Sequence, residues 1–479
     1  MSDTGTGRPA VLELRGVSKV YGQTAAGVHA LRDATLSVEA GSVVAVMYAV
    51  FAVYAGGVAL FSGLGDDRWW GIWAVGGYAA AAALAWSWRS RRGRRAALAA
   101  GLAGALAAPL TWLATRAPAT PDVKVVARSA ALLLHHATPY LPAAQLAHGG
   151  WLAYNPYLPV MAIFGLPRAL GLPGLAGDPR PWLAAATFLL LAAAFRAAAQ
   201  PAPLRRAAFA TASPVMAFPI ALGITDPPVL ALTCLALALL TRPARPAAST
   251  RAAAARTRAA ALARPARLAA VVLGVACAMK YTAWPALAVL AAMIAARGGA
   301  RAAARFAAIA VATTLGLAAA LAPASMTAPA ALIQNTILYP LGLTKARSPA
   351  QSPLPGHLLA TLGPAGHLAA IILLITAGVA IVLSLVIRPP ADAPAAARRL
   401  ALGLALMFAL SPATRFGYFA YPVGLLGWIA LRHRPVGHDR QAGDPVRRGD
   451  HAGLPREHHL GQHPARLIAD RNLVRAPVR

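Results

Sequence analysis

Residues 365–387 read AGHLAAIILLITAGVAIVLSLVI, a stretch with no Asp, Glu, Lys or Arg. An α-helix needs about 20 such residues to cross a hydrocarbon core of about 30 Å. The stretch is not isolated. A window of that length gives about 10 to 12 candidate spans, near 41–64, 71–88, 96–115, 182–199, 207–223, 227–241, 267–279, 282–296, 304–323, 365–387, 400–413 and 417–431. The expected fold is therefore all-α and polytopic. The pairs that meet at Lys280 and Arg415 are short enough to be broken or re-entrant helices, because polar backbone at depth must be sheltered by protein.

Composition agrees with that reading. Of the 479 residues 58% are hydrophobic and only 13% charged, with a mean hydropathy of +0.56, whereas soluble domains carry about 25% charged residues. A disordered chain and a secreted disulfide scaffold are excluded. Three regions follow: a polar segment over 1–40 without a cleavable signal peptide, the membrane domain over 41–432, and a basic, Pro- and His-rich tail over 433–479 whose composition predicts disorder. Cys234 and Cys277 lie within apolar stretches and lack the spacing of a redox or zinc site.

The formal charge of +30 would suggest nucleic acid if it formed one soluble face. It does not. The arginines cluster in short connectors at 89–95, 196–206, 242–267, 297–305 and 388–399, as cytoplasmic loops of membrane proteins do. This bias predicts a cytoplasmic N-terminus and no nucleic-acid partner. Acids are scarcer still: between 41 and 432 there are only Asp66, Asp67, Asp122, Asp178, Asp226 and Asp392, and no Glu. All but Asp392 fall on the predicted outer side. A proton-driven pump normally places carboxylates within its spans, so carboxylate chemistry at the outer surface is the better expectation.

Two connectors on that side are long, 116–181 and 324–364, and structureless loops of such length are unusual unless functional. The first mixes Asp122, Lys124, Arg128, His135 and His136 with Tyr140, Trp151, Tyr154 and Tyr157. Its apolar stretches near 130–134 and 160–170 read as short helices on the membrane face. The second is proline-rich, which predicts a shaped loop with free carbonyls. Adjacent histidines do not share a helix face, so His135 and His136 suggest acceptor contact or plain surface, and no metal site is expected.

PYLP at 139–142, YNPYLP at 154–159, KYTAWP at 280–285 and SPATRFGYFAYP at 411–422 resemble loop motifs of actinobacterial integral-membrane glycosyltransferases of the GT-C class, related to the polyprenol-phosphate-mannose-dependent mannosyltransferases. The resemblance covers about residues 70–431. It implies inverting transfer of a sugar, mannose for instance, from a polyprenyl-phosphate donor in the membrane to a glycan or glycolipid acceptor outside it, with no cofactor. The class places a catalytic aspartate in the first large outer loop, and Asp122 matches that position. It would act as general base, with Asp178 as the rival or, equally, as the N-cap of the next helix. Lys280, Arg415, Arg180, Lys124 and Arg128 are the cations available to the leaving phosphate. Lys280 and Arg415 interrupt apolar sequence, where a charge is costly. They could instead snorkel, or pair with Asp226 or Asp178.

Residues 11–47, beginning VLELRGVSKVYG and ending SVVAVM, resemble the opening strands of an ABC-transporter ATPase. In that family the strand ending near Met47 runs into a GxxxxGK[ST] phosphate loop. Here Tyr48 and an apolar run follow, so no cradle for phosphates exists and no ATP is expected to bind. A transporter or flippase, or an ABC-related component, are the alternative readings.

Overall fold

The computed structural model describes residues 10–21, 28–241, 251–346 and 348–432. The tail 433–479, part of the 242–267 arginine cluster, Arg347 and parts of the 1–40 segment lie outside the described residues. Strands β1 (Ala10–Tyr21) and β2 (Val28–Glu39) form an antiparallel hairpin, with Tyr21 opposite Val28 and Ala10 opposite Glu39. Residues 42–47, a strand under the ATPase resemblance, instead belong to helix α1 (Ala40–Phe61). From there to Arg432 the described chain is helical.

The remaining long helices are α2 (Gly65–Ser87), α3 (Arg91–Leu102), α4 (Ala108–Arg116), α5 (Pro121–His136), α6 (Pro179–Ala197), α7 (Pro203–Ala212), α8 (Pro214–Leu222) and α9 (Asp226–Leu239). They continue as α10 (Arg251–Met279), α11 (Trp284–Gly298), α12 (Ala300–Leu321), α13 (Pro364–Ile387), α14 (Ala393–Leu410) and α15 (Ala420–Arg432). Among the described residues, six segments are long and apolar enough to cross a membrane: 42–61, 91–116, 262–279, 300–321, 364–387 and 393–410. That is fewer than the 10 to 12 spans expected. The difference has a physical cause: α9, for example, is a 14-residue helix buried on nearly all sides, and the pass over 203–222 is broken at Ser213. Helices sheltered by neighbours need not be long. The helices that meet at Lys280 and Arg415 are joined by short segments, 280–283 and 411–419, each containing a 3-10 turn.

Local chemistry sets the ends. Proline occupies the first turn of many helices, including α5, α6, α7, α8 and α13, where its missing N–H costs nothing. Asp392 and Ser90 cap α14 and α3 through Ala395 N at 2.7 Å and Gly93 N at 3.1 Å. Between α1 and α2, Ser62 Oγ donates to Asp67 Oδ2 at 2.8 Å while Arg68 Nε donates to Ser62 O at 2.7 Å, closing a three-residue turn.

Following the reversals, connectors 62–64, 117–178, 223–225, 280–283, 322–363 and 411–419 gather at one end of the helical body. Connectors 88–90, 198–202 and 388–392 gather at the other. Hydrogen bonds link connectors within an end: Thr120 Oγ1 to Leu222 O at 2.9 Å, Leu158 N to Met279 O at 2.9 Å and Ala324 N to Ala137 O at 3.3 Å at the first. Arg297 Nη1 to Leu240 O at 2.7 Å belongs to the second. Every acid between 41 and 432 except Asp392 lies at or beside the first end.

The two long connectors there are not open loops. The first contains the 16-residue α5 and a 3-10 helix over Pro159–Gly165. The stretches 130–134 and 160–170, expected as short helices, are helical in large part and bury Ala130, Val160, Met161 and Ala162 while exposing Leu134, Ile163 and Leu170. The second contains helical turns at Pro323–Thr327, Ala330–Ile333 and Pro355–Ala360, and prolines 355 and 364 start helices rather than shaping a loop. The connectors also lock together. Asn155 N donates to Asn335 Oδ1 at 2.7 Å, Thr138 and Ser325 hydroxyls meet at 2.8 Å, and the Tyr154 and Tyr339 rings stack with centroids 4.5 Å apart.

Candidate functional site

Asp122 stands in the first turn of α5, where the helix dipole favours a negative charge. It is half-buried, and the Tyr157 hydroxyl donates a short hydrogen bond to its Oδ1. Tyr157 is itself fixed: its backbone N–H donates to Asn155 Oδ1 at 3.0 Å, and Asn155 Nδ2 donates to Ser129 Oγ at 2.9 Å on α5. Burial, then the Asp122 charge and hydrogen bond, push the Tyr157 hydroxyl well above the ordinary tyrosine range, while a hydrogen bond with Thr225 acts the other way. Tyr157 is therefore held as a neutral donor. One Asp122 oxygen accepts this bond, and no hydrogen bond from the described residues reaches the other.

Behind Tyr157 sits Lys280, only 5% exposed. Its Nζ lies 2.5 Å from Asp226 Oδ1 and 3.5 Å from Thr225 Oγ1, and it faces the rings of Tyr157 and Tyr418 at 5.4 and 5.6 Å. A buried ammonium is tolerable only when paired and hydrogen-bonded. Of the two roles left open by the sequence, Lys280 takes the ion pair with Asp226. Tyr421, whose hydroxyl meets Thr282 Oγ1 at 2.8 Å, closes this network from α15.

Arg415 is half-buried in the turn between α14 and α15. The second connector grips that turn: Ser352 N donates to Thr414 O at 3.0 Å, Thr414 N to Ala350 O at 2.9 Å and Phe416 N to Ser352 Oγ at 3.1 Å. The guanidinium has no hydrogen bond or ion pair to the described residues. Its field still reaches the cluster. The Tyr418 hydroxyl, raised by burial, is pulled down by Arg415 and pushed up by Asp226 and Asp122. Arg415 also acts on Asp67, whose carboxyl burial raises above the usual carboxylate range.

The other candidates have structural employment or none. Asp178 caps α6 through Arg180 N at 2.8 Å and takes Arg180 Nη1 at 3.1 Å, so both of its oxygens are engaged by Arg180. Arg180, 1% exposed, is buried beside it. Arg128 Nη1 and Nη2 donate to the carbonyls of Leu152 at 2.6 Å and Ala153 at 3.0 Å, holding connector to helix. Lys124 is exposed. His135 and His136 are exposed, and no group of three metal-ligating side chains occurs among the described residues.

Gly223 supports this arrangement. It adopts φ +77°, and a Cβ there would lie 2.5 Å from Val123 Cγ2 and 2.8 Å from Arg180 Cγ. Gly223→Ala is expected to cost about 1–3 kcal/mol from strain at positive φ, read as a lowered thermal midpoint in detergent. An unchanged midpoint would show that the turn relaxes freely.

Sequence reasoning selected Asp122, Lys280 and Arg415, which the fold brings to one end. It treated Tyr157 only as a lining aromatic and gave no role to Thr225, Tyr418 or Tyr421. The signal for three of these was present, since Tyr157, Tyr418 and Tyr421 lie inside the quoted YNPYLP and SPATRFGYFAYP stretches. No family model, curated protein or solved structure matches the chain.

Proposed function

We propose that this protein is a membrane glycosyltransferase of the GT-C type, moving a sugar from a polyprenyl-phosphate donor to a glycan or glycolipid hydroxyl. The observation that supports the reading is the placement of a half-buried carboxylate, Asp122, bonded to Tyr157, and a guanidinium with no ion pair to the described residues, Arg415, at one end of the body, where both act on the Tyr418 hydroxyl beside Lys280. The free Asp122 oxygen takes the acceptor O–H proton as that oxygen attacks the anomeric carbon. The bond from the anomeric carbon to phosphate breaks on the opposite face, its electron pair leaving with the lipid phosphate, so configuration inverts. Arg415 meets the charge that develops on the phosphate. Lys280, neutralised by Asp226, stiffens the tyrosines between them.

Two features support an outward-facing site. The described arginine clusters sit at the opposite end of the body, the side that positive-inside bias assigns to the cytoplasm. Exposed Trp69 and Trp86 on α2 lie about 26 Å apart at roughly 1.5 Å per residue, close to a bilayer's hydrocarbon thickness of about 30 Å. Trp69 is two residues from Asp67, at the same end of α2 as the cluster, which is what a site near one interface requires.

The test is transfer from polyprenyl-phosphate-linked radiolabelled mannose, in proteoliposomes, to a cell-envelope glycolipid extract. Wild-type protein should release lipid phosphate in step with labelled product. Arg415→Gln should slow the reaction about 10²-fold, the usual weight of one preorganised donor to a developing anion. Absence of turnover with every polyprenyl-phosphate sugar tried, or an undiminished rate in Arg415→Gln, overturns the reading.

A further inference from the structure

A groove runs along the outer face of α4 in two lobes. One, of about 610 Å³, is lined by Leu106, Leu110, Leu175, Pro181 and Trp182. The other, of about 690 Å³, is lined by Trp73, Ala103, Trp112, Thr115 and Arg116. Ala107 and Thr111 form the floor of both.

The groove has a structural cause. Between α3 and α4 the chain makes a π-helical turn over Ala103–Ala107, a wide turn often found at functional sites. Its irregular backbone is sheltered: buried Trp70 donates Nε1–H to Ala105 O at 2.8 Å. Gly104 and Gly77 of α2 meet backbone to backbone, since a Cβ on Gly104 would fall 2.3 Å from Gly77 Cα. Ala103 and Ala107, the two ends of the turn, present methyl groups where larger side chains would fill the groove. Trp112 is held as a wall by Trp69, with ring centroids 4.3 Å apart.

We propose that this groove binds one anionic diacyl phospholipid, an acyl chain in each lobe and the phosphate on Arg116. The walls are aliphatic and aromatic. Arg116, at the end of α4 nearest the interface, is the one ionisable group among the lining residues of either lobe. Its guanidinium is exposed and makes no hydrogen bond or ion pair to the described residues. Two apolar lobes on a common floor match a lipid with two chains, and a lone cation at the interface matches a negatively charged head. The inference requires that the chain be embedded in a bilayer and is independent of sugar transfer.

The test uses full-length protein in nanodiscs of phosphatidylcholine with a minority of phosphatidylglycerol, followed by mild extraction and native mass spectrometry. Wild-type protein should retain phosphatidylglycerol above its share of the bilayer. Arg116→Gln should lower that enrichment about fivefold, the weight of one arginine near an anionic headgroup. Ala107→Phe, which fills the shared floor from an exposed position, should remove the retained lipid while helical circular dichroism persists. Thr111→Phe, also exposed, serves if that variant does not fold. Retention of the two lipids in their bulk ratio, or enrichment that survives both the charge and the floor substitutions, overturns the proposal.

Discussion

Asp122→Asn is expected to lower sugar transfer about 10²- to 10⁴-fold, the range spanned by positioned general bases. Asn keeps the shape of the side chain and an oxygen that accepts from Tyr157, so the fold and its thermal midpoint should stay as they are. What it loses is the ability to take a proton. The damage should therefore appear in kcat, with donor binding preserved, because the proposed mechanism holds the donor phosphate at Arg415 and not at Asp122. Tyr157→Phe offers the contrast: it leaves a carboxylate but frees its orientation, so a smaller loss is expected. Full activity in Asp122→Asn would overturn the role proposed for this carboxylate.

The second large effect concerns stability. Asp226→Ala leaves the Lys280 ammonium almost fully buried without a counter-ion, and breaking such a pair from one side costs about 3–5 kcal/mol. The pair also ties three segments: the start of α9, the end of α10 and, through Tyr421 and Thr282, the start of α15. Thermal unfolding in detergent should show a large drop for Asp226→Ala. The double variant Asp226→Ala with Lys280→Met should recover much of it, because no buried charge is then orphaned. A double-mutant cycle isolates the coupling. If the two single losses simply add, the ion pair is not what holds these segments.

The helices were legible because apolar runs mark them, and the boundaries were less so for a specific reason. Hydropathy sees only the part of a helix that suits lipid. α10 starts at Arg251 and not near 267, and α14 starts at Ala393 and not near 400, because each carries its arginines on helical turns beyond the apolar stretch. α2 starts at Gly65, since Asp66 and Asp67 are favoured in a first turn. The site was legible as far as residue types go. Charges interrupting apolar sequence pointed to Lys280 and Arg415, but which carboxylate meets which cation is a tertiary matter. Lys280 finds Asp226, 54 residues away, and Asp178 finds Arg180, two residues away. Both pairings were the unremarkable alternatives, and they leave Arg415 and Asp122 as the unlike charges without an ionic partner in the cluster.

The clasp between the long connectors constrains how any molecule reaches that end. Asn155 with Asn335, Thr138 with Ser325, and the stacked Tyr154 and Tyr339 rings mean that neither connector can swing aside without dragging or releasing the other. Access is thus a concerted event or a sideways one. On the proposed function, a hydrophilic acceptor from the water phase would have to move both connectors together, whereas a lipid-anchored substrate could enter between helices with the clasp intact.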